Sequence, residues 1–343
     1  MKKLGNVLYV TTPEAYLSLD GENVVVKKDE NTSMRLPLHN LENIVCFNYL
    51  GASPALMGAC AERNVGLCFL TPNGRFLARV TGKVKGNVLL RKKQYDVSEK
   101  NDESVPIAAS FLLGKIANCR KVIERALRDH AMLVDVQTLT QASASLKETL
   151  SAVQACKTIG DLMGFEGSAA KIYFGVFDHL ILQQREDFTF KERSRRPPLD
   201  NLNSLLSFLY TLLTNDAASA LETVGLDPYV GFLHQDRPGR PSLALDLVEE
   251  LRPVFADRLA LSLINRKQIA GKGFTQKESG GILMDDDTRK TVLTAWQERK
   301  KEEILHPYLK ERIPFGLIPH VQAMLLTRFL RGDLDAYPPF FWN

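Results

Sequence analysis

Two rhythms of apolar residues divide the chain. From Asn6 to about Val88 the apolar runs are short and broken by turn residues: Val7–Val10, Tyr16–Leu19, Val24–Val26 and Ile44–Phe47 each read as a strand, and Asp20-Gly21 marks one turn. A helical pattern interrupts once, over Ser53–Arg63, before strand text resumes at Val65–Leu70. Asn73-Gly74 then joins that strand to Phe76–Val80, because both residues tolerate the positive φ that a tight hairpin turn demands. Past Pro106 the repeat becomes helical, with Ile107, Phe111, Leu112, Ile116, Cys119 and Ile123 recurring three or four positions apart. Between the two styles, Lys92–Val105 is polar and aperiodic and reads as a link. The expected fold class is therefore α+β: a small β-rich N-terminal domain at 1–91, a linker at 92–105 and a larger all-helical domain at 106–343.

Within the helical part a second helix is expected over about Ser143–Ile159, followed by one that Asp161 can cap. That helix carries Glu166 in its opening turns, beside the small residues Gly167, Ser168, Ala169 and Ala170, which permit close approach of another element. Lys191–Asn203 is a basic loop stiffened by Pro197 and Pro198, and it empties into a helix at Leu205–Leu213. Gly271–Gly281 reads as a flexible glycine-rich loop whose spacing matches no phosphate-binding fingerprint. Asp286–Glu303 is a helix of alternating charge, and the aromatic, proline-rich end from Leu334 suits packing against the protein's own surface.

Candidate chemistry concentrates between Gly225 and Arg252. His234 lies in a segment punctuated by Pro228, Gly231, Pro238, Gly239 and Pro241, so loop backbone presents its imidazole. Ser242 can cap the helix that follows, whose Leu243, Leu247, Val248 and Leu251 form an apolar stripe while Asp246, Glu249 and Glu250 share another face. Like charges that close repel one another, and a cation or an arginine would relieve them. The plainer alternative is a solvated acidic face favoured by the helix dipole, with His234 as an ordinary polar residue.

Composition narrows the class. With 343 residues, 45% hydrophobic and 24% charged, the chain can bury a sizeable core and is neither disordered nor fibrous. A formal charge of +4 permits a nucleic-acid partner without demanding one. Seven lysines and arginines fall between Arg75 and Lys93 with no acidic residue among them, and could either track a phosphate backbone or guard an exposed strand edge. The five cysteines are scattered without a CxxC pair, which suits reduced thiols and argues against a zinc site. No signal peptide and no long apolar run is apparent, so a cytoplasmic protein without membrane contact is expected.

The order FEGSAAKIYF, RSRRPPLDNLNSLLSFLYTLL, GLDPYVGFLHQDRPGRPSLALDLVEELRP resembles the CRISPR-associated adaptation nuclease family, the integrase that is the most widespread of the CRISPR-associated proteins. The likeness covers nearly the whole chain, and the YPPFFW ending is most similar to its type I-C branch. It implies that Glu166, His234 and Glu249 are catalytic and together bind Mn2+ or Mg2+. Many relatives carry aspartate at the last position, and Asp246 and Glu250 stand as alternative ligands or as partners that orient the first set. It implies an endonuclease and integrase that inserts short foreign DNA fragments into a CRISPR repeat array by transesterification. It also implies a homodimer bound to a small ferredoxin-like CRISPR-associated partner. Carboxylates with one imidazole are a mostly hard donor set that suits either ion. Arg193, Arg195, Arg196, Arg237 and Arg240 flank the acidic residues in sequence and are the expected contacts to DNA.

Two rival functions remain: a non-catalytic nucleic-acid-binding scaffold, and a general nuclease without integration activity. A serine hydrolase is poorly supported, since no GxSxG elbow precedes His234. Asp178 and His179 are adjacent, so on a helix they would point about a hundred degrees apart and form no dyad.

Overall fold

The computed structural model describes residues 5–29, 31–72, 74–83 and 88–342. Among these, seven strands open the chain: β1 (Asn6–Val10), β2 (Ala15–Asp20), β3 (Asn23–Lys28), β4 (Asn31–Pro37), β5 (Leu41–Cys46), β6 (Gly66–Leu70) and β7 (Phe76–Val80). Helix α1 (Pro54–Arg63) separates β5 from β6, capped by the Ser53 hydroxyl, which accepts from Leu56 N. Strands β2, β3 and β4 form an antiparallel meander, while the second sheet runs β1-β5-β6-β7, parallel up to β6 and antiparallel at β7. The expected turn residue Asn73 lies outside the described residues, but its neighbour Gly74 has φ of 83° and the two strands pair as a hairpin.

Side chains of alternate residues leave a strand on opposite faces. Ile44 and Cys46 of β5 accordingly enter a small core with Leu8, Leu17, Val24 and Leu56, whereas Val45, Phe47, Cys68 and Leu70 enter the large core of the helical part. One sheet thus serves two cores, and that explains the near-continuous apolar text of β5.

The stretch 92–105 corrects the expectation of an irregular link. It lies in α2 (Val88–Glu99) and the start of α3 (Asn101–Asp129), and Pro106 falls inside α3 rather than ahead of it. Tertiary contacts decide this: Leu90 and Val97 are buried, and the buried Gln94 donates to Asp227 O and Val230 O at 2.8 Å while accepting from Asp227 N. Helices α4 (Val136–Gln154) and α5 (Ile159–Gly175) pack on α3, and α6 (Asn201–Val224) crosses the core. Thr158, not Asp161, caps α5; its hydroxyl accepts from Asp161 N, and it donates in return to the Asp161 carboxylate. Glu166 consequently sits in the middle of α5 and not in its first turns.

Next come α7 (Ser242–Glu249), a π-helical turn over Pro253–Asp257, and α8 (Arg258–Asn265). The helical part is not purely helical. Its Gly271–Gly281 stretch is held in a hairpin of β8 (Phe274–Gln276) with β9 (Ile282–Met284), and Gly271 N donates to the Asp187 carboxylate. The chain continues through α9 (Asp286–Lys301), a hairpin of β10 (Glu303–Leu305) with β11 (Arg312–Pro314), and α10 (Ile318–Leu330). Among the described residues, no helix is long and apolar enough to cross a membrane.

Candidate metal centre

Helix α7 turns its acidic residues inward, against the expectation of a shared face. Asp246, Glu249 and Glu250 are all buried, and each meets different partners. Ser242 is the first helical residue and makes no cap; its hydroxyl donates to Gln235 O and ties the helix start to the loop before it.

Asp246 organises that loop. Its Oδ2 accepts from Phe232 N at 2.7 Å and Leu233 N at 3.0 Å, and its Oδ1 accepts from His234 N at 2.9 Å. Oδ1 also lies 2.6 Å from His234 Nδ1. A carboxylate can only accept, so Nδ1 carries the ring proton and Nε2 keeps its lone pair. Gly231 makes this wrap possible: a Cβ there would stand 2.8 Å from Asp246 Oδ2 and 2.9 Å from His234 O. Asp246 therefore orients the imidazole, in the way that carboxylates support metal-bound histidines.

Glu249 ends α7 and is 1% exposed. Its Oε1 accepts from Arg252 Nη1 at 2.5 Å, and its Oε2 is 2.6 Å from Lys115 Nζ. The second contact is one of charge rather than an aligned hydrogen bond. Lys115, from the buried face of α3, also donates to Glu166 Oε1, so one ammonium stands between the two carboxylates. Burial would raise the Glu249 pKa, but Arg252 and Lys115 hold it well below the usual carboxylate range. Burial would likewise lower that of Lys115, but Glu249 and Glu166 keep it raised and the amine charged.

Lys115 thus links Glu166 with Glu249, while His234 is tied to the same helix through Asp246, and the three side chains do not close on one point. Among the described residues, no three His, Cys, Asp or Glu side chains meet at coordination spacing. The ammonium stands between the two carboxylates and is a stand-in cation: that position selects positive charge, and the donors available to an ion are the carboxylate oxygens of Glu166 and Glu249 and the imidazole nitrogen that Asp246 orients. That set fits Mn2+ or Mg2+.

Glu250 is not placed to ligate. Its Oε1 accepts from Tyr337 OH at 2.5 Å and Gln322 Nε2 at 3.0 Å, and its Oε2 accepts from Phe340 N at 2.7 Å. Burial pushes its pKa up to about 7 despite those bonds. The aromatic tail, expected to pack on the protein itself, does so by clamping this carboxylate. Asn118 adds to the clamp, donating to Glu250 O and Phe340 O and accepting from Trp342 N.

The arginines divide. Arg195, Arg196 and Arg237 are exposed and Arg240 is half-buried. Arg193 is instead consumed internally, donating to Asn203 Oδ1 at 2.6 Å and Ser207 Oγ at 3.0 Å, with its guanidinium 5.2 Å from the Tyr210 ring centre. The basic run after the first hairpin is also partly tied down: Arg79 donates to Asn215, Arg91 to Gly225 O, and Lys93 pairs with Glu103, while Lys85 lies outside the described residues. Asp178 accepts from Phe190 N and Arg185, so it stitches a local turn and does not serve His179 as a dyad.

Four participants escaped the sequence reading: Lys115, Arg252, Tyr210 and Asp257. Lys115 left a signal, as the cation between Phe111 and Cys119 on the apolar stripe of α3. Arg252 stacks 4.9 Å from the Tyr210 ring centre, and Tyr210 OH donates to Asp257 Oδ1 at 2.6 Å. Burial raises the Asp257 pKa to about 6, in spite of the Tyr210 bond. A raised folded-state pKa means the native chain holds its proton after the unfolded chain has lost it. Stability from this group is therefore complete below about pH 4 and fades as pH rises to about 6. Asp257→Asn, which cannot ionise, is expected to flatten this slope by about 2–3 kcal/mol, read from denaturant unfolding between pH 4 and about 7.

Fold and centre together define an α+β protein with two carboxylates facing one cation and a carboxylate-oriented histidine on the loop before α7. The family described as "CRISPR associated protein Cas1" matches residues 8–298, and the chain belongs to it. It is 54% identical over 347 residues to "CRISPR-associated endonuclease Cas1 2" of Rhodospirillum rubrum, covering all of both chains. It is 51% identical over 343 residues to "CRISPR-associated endonuclease Cas1 1" of Chlorobaculum tepidum, again end to end. Among solved structures, a Cas1 protein from Thermotoga maritima superposes with a TM-score of 0.83 at 21% identity, covering 97% of this chain and 99% of that one. That likeness shows the fold: a β-rich region followed by a larger helical domain.

Proposed function

We propose that this chain is a divalent-metal-dependent DNA endonuclease and integrase that joins short foreign DNA fragments to a CRISPR repeat array, as a member of the type I-C branch. The observation that carries this reading is the cation already seated between Glu166 and Glu249, with the His234 ring oriented by Asp246 from the same helix as Glu249. Endonuclease activity follows the relatives, which match over their full length.

Glu166, Glu249 and His234 Nε2 would hold Mn2+ or Mg2+. A divalent ion in that position supplies Lewis-acid polarisation of a phosphodiester and offsets charge that grows on its oxygens. Asp246 fixes the imidazole, and Arg252 holds the Glu249 carboxylate from its other oxygen. Attack by water breaks a P–O bond and releases a DNA end. Attack by a DNA 3′-hydroxyl forms a new P–O bond as the old one breaks, and this exchange is strand transfer. Exposed Arg195, Arg196 and Arg237, with Arg240, carry the DNA backbone past the centre. A homodimer, a small ferredoxin-like CRISPR-associated partner and a cytoplasmic setting complete the proposal.

The direct test supplies a repeat-containing plasmid, a short duplex with a free 3′-hydroxyl and Mn2+ or Mg2+, and looks for joined products. Joining that needs the divalent ion supports the reading. Cleavage without joining would reduce it to a general nuclease, and neither would leave the cluster a structural ion-pair set in a DNA scaffold. Arg195→Glu with Arg196→Glu is expected to weaken DNA binding and to reduce the salt slope by about 0.9 for each phosphate no longer neutralised. Fluorescence anisotropy across a salt series measures it, and an unchanged slope would remove these arginines from the interface.

A further inference from the structure

Lys115 is the unusual member of the centre. Its amine is almost wholly buried, with the side chain 8% exposed, and it meets Glu166 and Glu249 together. Gly114 explains how it reaches them. A Cβ at that glycine would stand 2.8 Å from the Glu250 Cβ, so α3 approaches α7 as closely as backbone allows and delivers the next residue to Glu249. The carboxylates of Glu166 and Glu249 face the cations of Lys115 and Arg252, and Asp246 adds one further negative charge beside His234.

Adding a divalent ion while both cations stay would leave the buried set with an excess of positive charge, which is unfavourable. Space is as restrictive as charge. Nζ already lies 2.6 Å from Glu249 Oε2 and also meets Glu166 Oε1, so the ammonium fills the space between the carboxylates that an ion bridging them would need. One cation has to yield. Arg252 is pinned by Glu249 Oε1 and by the Tyr210 ring, whereas lysine is a compact charge on a flexible four-carbon stem.

We propose that Lys115 is the resident cation of the metal-free centre, and that a divalent ion binds by exchange, driving the ammonium out from between Glu166 and Glu249. This inference rests on the reading of the centre as a metal site. The resident ammonium holds the two carboxylates together before the ion arrives, and it sets a threshold that the ion must exceed. Once released, the amine lies beside the position where a DNA phosphate would enter and can pair with it.

The test compares Mn2+ binding by calorimetry for the full chain, Lys115→Met and Glu249→Gln, together with melting temperatures in EDTA and in Mn2+. Lys115→Met is expected to bind Mn2+ at least about tenfold more tightly than the wild type, because its competitor is gone. It should melt below the wild type in EDTA and gain more from Mn2+. Mn2+ binding that depends on Glu249 but is unchanged or weaker in Lys115→Met would overturn the exchange and leave the metal site standing. Failure of both the wild type and Lys115→Met to bind Mn2+, or equal binding by Glu249→Gln, would remove both. Should Lys115→Met not fold, trace reductive methylation of the wild type decides: Lys115 should react about tenfold faster with Mn2+ present, as an amine freed from two carboxylates. Equal rates with and without Mn2+ would overturn the exchange.

Discussion

Replacing His234 with alanine is expected to lower Mn2+-dependent DNA cleavage and strand transfer by about a thousandfold while the melting temperature stays within a few degrees of the wild type. A lost ligand forfeits several kcal/mol of stabilisation of the charge that develops on phosphate, and about 1.4 kcal/mol is worth a factor of ten. The stability side follows from the contacts. His234 is half-buried at the end of a loop whose backbone is fixed by Asp246, and removing the ring leaves the three backbone bonds to that carboxylate in place. Glu249→Gln should lose as much activity but also melt lower, because it strips a charge from Lys115 and Arg252 at once. The pair separates chemistry from folding. Full cleavage and joining by His234→Ala, with the variant folded, would show that the imidazole is no ligand.

Asp246→Ala should be the most damaging single change in the molecule, costing about 3–5 kcal/mol and all activity. It leaves Phe232 N, Leu233 N, His234 N and the His234 ring without their acceptor inside a buried turn. Asp246→Asn is a sharper probe. The amide oxygen can still serve some of the backbone donors, but the NH2 group opposes Nδ1–H and favours the tautomer with the proton on Nε2, the wrong nitrogen for a metal. The expected result is a folded protein with Mn2+ affinity lowered about ten- to a hundredfold, in line with losses seen when such supporting carboxylates are changed. Denaturant melts and Mn2+ calorimetry on the two variants check this. Normal stability in Asp246→Ala would mean that the loop has another organiser.

Much of this architecture was legible from one sequence. Period-two and helical repeats located the strands, the long helices and the change of style between them, since each repeat is the direct image of a buried face. The motif order pointed to the family, and the prolines and glycines around His234 marked the loop that presents it. Other features could not be seen along the chain. Lys92–Val105 looks like a link because its ties run to Asp227 and Val230, more than a hundred positions away. Asp246, Glu249 and Glu250 read as one shared acidic face, yet their roles separate completely: one orients a loop, one faces a cation and one grips the C-terminal tail.

The sequence by itself located most of the N-terminal strands and the long helices, and it set which family the chain resembles and which residue types could carry metal chemistry. The tertiary structure alone decided which charges meet. Electrostatic partnership depends on distance and desolvation, and neither is written in local order, so Lys115 on one helix could be recognised as the counterpart of Glu166 and Glu249 only after α3, α5 and α7 had packed. The same physics turned Arg193 from an expected DNA contact into an internal brace, because three side-chain and backbone acceptors and an aromatic ring converge on it in the folded chain.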